Sequence, residues 1–154
     1  MKLRIESANE NADEEIVIYC REVNSEIKLI KDIIENIIEK SSLLELTYGD
    51  GKCFVPKNDI IFFETDGGKV TAHTENKLYY TDYRLFELEK LLPRNFVRAS
   101  KSCILNASYV SEIRKNLAGA SEVRFRNTYK KVYVSRKYYK VFKENIDEMR
   151  GNKL

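Results

Sequence analysis

The chain of 154 residues has no tryptophan, two prolines, three cysteines and one histidine, His73. A single histidine without ligand-type neighbours in sequence leaves little from which to build a Ser-His-Asp, Cys-His or His-ligated metal site. Cys20, Cys53 and Cys103 are odd in number, widely spaced and without a C-x-x-C pair, which suggests neither a disulfide framework nor a zinc site. Thiols of this kind are usually interior, and all three are expected to be buried. The phosphate cradles G-x-G-x-x-G and the P-loop are absent, as is the G-x-S-x-G elbow, so no enzyme and no cofactor is expected. No apolar run approaches the roughly 20 residues a bilayer span needs. The first residues, Met1-Lys2-Leu3-Arg4-Ile5-Glu6, lack the apolar stretch of a signal peptide, so a cytoplasmic protein is expected and the glycosylation triplet Asn106-Ala107-Ser108 has no secretory route.

What the chain does have is charge, unevenly spread. Residues 1–55 hold seven Lys and Arg against twelve Asp and Glu, whereas residues 56–154 hold twenty against twelve. The surplus concentrates between Arg94 and Lys140, where twelve basic residues face only Glu112 and Glu122. Such a local excess points to a polyanionic partner.

Hydrophobic periodicity divides the chain. Residues 15–20 form a short β-branched run of strand type. A helix is expected to about Lys40, started by Asn24 or Ser25, with Ile27, Ile30, Ile34 and Ile37 recurring at spacings of three and four and Ile33 and Ile38 widening the stripe. That face is expected to pack on a sheet, the alternative being a helix pair. From Leu43 the period becomes two, with strands over 43–48, 52–56, 60–65, 70–74 and 77–80, separated by Gly49-Asp50-Gly51, Asp66-Gly67-Gly68 and Glu75-Asn76, residues that tolerate positive φ. A helix over 82–92, with Leu85, Leu88, Leu91 and Leu92 inward and Pro93 as its stop, interrupts the meander. Strands resume at 96–98, 109–114, 122–126 and 131–134. A last helix runs from Arg136 to about Met149, capped by Ser135, with Tyr139, Phe142, Ile146 and Met149 on one stripe.

The start of this last helix carries the functional argument. Arg136, Lys137 and Lys140 lie in its first turn and a half, where the helix end already bears partial positive charge and exposed cations are disfavoured by roughly 0.3 to 1 kcal/mol each. Their placement is better explained by a phosphate or a guanine edge at that site. A second basic group, Arg94, Arg98 and Lys101, lies in or beside residues 96–106, which mix apolar positions with small hydroxyls and cations as a core-pinned loop would.

These segments resemble a known family. Ile60-Ile61-Phe62-Phe63-Glu64, the turn and strand through His73, Phe-Val-Arg-Ala-Ser-Lys-Ser-Cys-Ile-Leu-Asn at 96–106 and Val-Ser-Arg-Lys-Tyr at 134–138 look like the LytTR DNA-binding domain of bacterial transcription regulators. The resemblance covers about residues 43–149. It implies a mainly β chain with short helices, an elongated set of small antiparallel sheets that binds duplex DNA without a helix-turn-helix, through loops and the start of the last helix in the major groove. Carried over, Arg136 matches the family's base-reading arginine, Lys101 the polar loop position of F-x-R-x-x-x-S, and Lys69 lies near the first loop's contact. Lys137, Lys140, Arg98 and Ser135 complete the expected DNA-binding set. Residues 1–42 form a strand-helix extension with a pairing or regulatory role, and residues 150–154 a tail. Since 42 residues are too few for a receiver domain, a stand-alone regulator is expected, with a homodimer on a repeated operator possible. The alternative is a non-catalytic module binding RNA or another polyanion through exposed aromatics.

Overall fold

The computed structural model describes residues 15–151, and the chain divides into two compact units, Met1–Ile38 and Glu39–Leu154. Helix α1 (Ser25–Ser42), whose last turn falls in the second unit, begins where the Asn24 side chain caps it, its Oδ1 accepting the Ile27 N–H at 3.0 Å. No described residue of α1 is buried. The strand expected over 15–20 is not formed, because no described strand offers that run a ladder.

The second unit is built on two antiparallel sheets, and the expected meander is broken where β1 pairs with β5 and β3 with β7. Its elements are β1 (Leu43–Tyr48), β2 (Gly51–Pro56), β3 (Phe62–Asp66), β4 (Lys69–His73), β5 (Leu78–Thr81), α2 (Leu85–Leu91), β6 (Phe96–Ser100), β7 (Cys103–Asn106), β8 (Val110–Arg114), β9 (Ser121–Phe125), β10 (Lys131–Val134) and α3 (Arg136–Gly151). Seven strands pair in the order β2-β1-β5-β4-β3-β7-β6, and a second sheet pairs as β10-β9-β8. Gly67 and Gly68 both take positive φ, 57° and 81°, which lets Asp66 pair directly with Lys69 across a two-residue turn. The turn at Glu75-Asn76 needs no positive φ: the Thr74 hydroxyl closes it by accepting the Lys77 N–H at 3.1 Å.

Strand alternation sends neighbouring residues into two cores. Phe63 and Ile104 join Leu46, Leu85 and Leu88 on one side of the large sheet. Phe62 and Leu105 join Val123, Phe125, Val134, Phe142 and Ile146 on the other, where α3 and the three-stranded sheet close the second core. Between them Asn106, 1% exposed, donates to the Ile60 carbonyl at 3.0 Å and accepts the Ser108 N–H at 3.0 Å.

Three further expectations are corrected. Residues 103–106 are a fully buried strand, since β7 is covered on both faces. Helix α2 starts at Leu85 because the Glu87 carboxylate reaches back to the Arg84 N–H at 2.8 Å; Leu85 and Leu88 are buried, while Leu91 stays exposed. Of the cysteines only Cys103 is buried, its thiol pushed up to about 12 by desolvation; Cys53 is half-buried on edge strand β2 and Cys20 is exposed.

Candidate nucleic-acid interface

Sheet register gathers three sequence-distant segments at one end of the fold. Strands β3 and β7 pair with Glu64 opposite Cys103, and the Thr65 N–H donates to the Ser102 carbonyl at 2.8 Å, so the β3–β4 turn adjoins the β6–β7 turn. The Ser135 N–H donates to the Ala99 carbonyl at 2.9 Å, which brings the start of α3 beside that same turn. Lys69, Lys101 and Arg136 thus lie on neighbouring segments, with Lys137 and Lys140 on the first turns of α3.

The β6–β7 turn is built to hold Lys101 outward. A bulge at Ala99 shifts the register between Arg98 and Ser100, the Ser102 N–H donates to the Ser100 hydroxyl at 3.2 Å, and the two hydroxyls lie 3.3 Å apart. Arg98 fastens the turn from inside. Its Nε donates to the Ser100 carbonyl at 2.6 Å, one terminal nitrogen to the Lys101 carbonyl at 2.5 Å, and the other to Glu89 of α2 at 3.0 Å. The Arg98 guanidinium is therefore engaged by the protein itself. Ser100, Ser102 and Glu89 were not among the expected site residues; the small hydroxyls are visible in the sequence, whereas nothing there links Glu89 to Arg98.

Several cations elsewhere on the second unit form ion pairs: Lys52 pairs with Glu45, Arg114 with Glu112, Arg124 and Lys131 with Glu122, Lys143 with Asp147. Flanking Arg124 and Lys131 hold the Glu122 carboxyl down at about 2. By contrast Lys69, Lys101, Arg136, Lys137 and Lys140 are exposed and form no ion pair with a described residue. Lys69 instead lies over the Tyr80 ring at 5.9 Å, and Lys137 over Tyr138 at 5.7 Å. The first turn of α3 contains no acidic residue. Free N–H groups, a positive helix end and unpaired cations converge there, an arrangement suited to binding anions. Ser135 joins the helix through its backbone, its carbonyl accepting the Tyr138 N–H at 3.0 Å.

Residues 50–147 match the LytTr DNA-binding domain family. Over 147 residues, 95% of this chain and 98% of the relative, the sequence is 31% identical to an uncharacterized HTH-type transcriptional regulator of Staphylococcus aureus strain MSSA476, and 30% identical to its counterpart in strain MRSA252. A solved LytTr DNA-binding domain from Bacillus cereus superposes with a TM-score of 0.64 at 26% identity, covering 68% of this chain and 96% of that one. Among the described residues no two helices are consecutive: five strands separate α2 from α3.

Proposed function

Because the chain belongs to the LytTr DNA-binding domain family, whose domains bind DNA in transcription regulators, we propose that it reads duplex DNA with the end of the fold that gathers Arg136, Lys101 and Lys69. The observation that carries this reading is the gathering of five exposed cations, none in an ion pair with a described residue, on adjoining segments around the start of α3, whose first turn holds no acidic residue. Arg136 reads a guanine edge in the major groove, its planar fork matching O6 and N7 together. Lys101, Lys69, Lys137 and Lys140 contact phosphates and set register without reading sequence. Ser135 fixes the height of Arg136 through its bond to β6, and Arg98 holds the Lys101 turn. The domain proper spans 43–149, with 1–42 as an extension and 150–154 as a tail, and the protein acts where the chromosome lies, in the cytoplasm.

The test is a footprint on the promoter upstream of the chain's own operon, followed by titration of that duplex, a random duplex and a single-stranded RNA. Protection of a discrete site, and tighter binding to it than to random DNA, supports the reading. Equal or tighter binding to the RNA overturns it in favour of a single-strand module.

A further inference from the structure

Helix α1 has two apolar sides. On one, Ile34 lines a groove with Ile16 and Ile18 of the preceding segment, so the first unit flanks that side itself. On the other, Leu29, Ile33 and Ile37 stay 60%, 50% and 61% exposed. Spaced by four, these three form one ridge along the helix. An aliphatic ridge of this kind on a charged chain marks an interaction surface.

The charges at its ends say what fits it. Glu26 lies in the first turn of α1 and Lys40 in the last, each seven residues from Ile33 and therefore, at two helical turns, on the ridge side. Neither forms an ion pair with another described residue. The ridge is thus complementary to itself when reversed: about a two-fold axis at Ile33, Leu29 meets Ile37 of the second copy, Ile33 meets Ile33, and Glu26 meets Lys40. A parallel pair would set Glu26 against Glu26 and Lys40 against Lys40. The geometry points to a second copy of this chain as the occupant, in an antiparallel α1–α1 pair centred on Ile33. This goes beyond DNA reading: it makes the protein a dimer whose two DNA-binding units are joined before DNA is met, raising the effective concentration of the second unit once the first has bound.

The experiment is sedimentation velocity of the full chain over a concentration series, without DNA, so that its outcome is independent of the DNA-binding reading. The expected result is a concentration-dependent doubling of the 18.1 kDa mass. Ile33→Glu, which brings two carboxylates together at the axis, should weaken association at least about tenfold while circular dichroism stays unchanged. Glu26→Lys and Lys40→Glu, both at exposed positions, should each weaken it alone, and an equimolar mixture of the two variants should recover association, since each contact in the mixed pair joins opposite charges. A chain that stays monomeric up to about 100 µM overturns the proposal, whether residues 1–14 or another protein cover the ridge. So does a dimer indifferent to Ile33→Glu, or one indifferent to both charge reversals.

Discussion

Arg136 and Lys101 lie on adjoining segments and both are exposed, yet their chemistry differs. Arg136→Ala should cost about 1 to 3 kcal/mol on the specific site and little on random DNA, relaxing discrimination at one base pair; Lys101→Ala should weaken both and lower the salt slope by about one. Parallel titrations of the two duplexes check this, and equal loss on both for Arg136→Ala would make that residue a phosphate contact. His73 shows a different kind of residue-level control. Its ring stacks on Phe62 at 4.2 Å and approaches Glu64 at 3.0 Å, while burial and then Lys130 push its pKa from 6.5 down to about 4. At neutral pH the His73–Glu64 contact is therefore a hydrogen bond donated by the Nε2–H of a neutral imidazole to the Glu64 carboxylate. The unfolded chain takes up that proton first, so stability is full above about pH 6.5 and falls on acidification towards pH 4, by roughly 3 kcal/mol. Glu64, raised by burial and Asp66, offsets part of the loss. Urea midpoints between pH 7 and 4 should show this slope, and His73→Phe, which keeps the stack, should flatten it.

At the scale of elements, the β6–β7 turn and α3 are held by means that predict opposite failures. The turn depends on the Arg98 fork and its three acceptors. Arg98→Ala should destabilise by about 1 to 3 kcal/mol and weaken binding to specific and random DNA alike, and Arg98→Lys should restore little, because a point charge cannot bridge three acceptors. Helix α3 depends on apolar packing: Phe142 is fully buried in the second core. Phe142→Ala should cost about 3 to 5 kcal/mol and release the start of the helix from Ala99. Thermal melts beside DNA titrations separate the two, since Arg98→Ala loses affinity while still folded and Phe142→Ala loses affinity in step with unfolding.

For the whole molecule, the decisive quantity is salt dependence. Four unpaired lysines at one end, beside the base-reading Arg136, imply about four phosphate contacts, which should lower affinity by roughly two decades between 50 and 200 mM salt. Fluorescence anisotropy across that range tests it, and a shallow slope would mean that the basic end does not meet the backbone of DNA. Within the second unit, the paired ions around Glu122 should contribute little to that slope, because their charges are already neutralised locally.

By itself the amino-acid order determined where the strands turn and which residues alternate inward, because a period of two, glycine at positive φ and a run of β-branched side chains act over a few residues. Strands β1 and β10 have the bounds their periodicity predicts, and Arg136 begins α3 where Ser135 precedes it. The resemblance in residues 60–64, 96–106 and 134–138 carried the family. What no local signal could supply was pairing at long range. That β7 is a buried strand follows from its place between β3 and β6, not from its own mixed composition. The interface exists because Ser135 bonds to Ala99 and Thr65 to Ser102, contacts between segments 36 and 37 residues apart. Arg98 reads as one more cation in sequence, and only the acceptors around it divert its guanidinium into the protein. Whether a charge is free or paired depends on what the fold sets beside it, and that distinction is made in three dimensions alone.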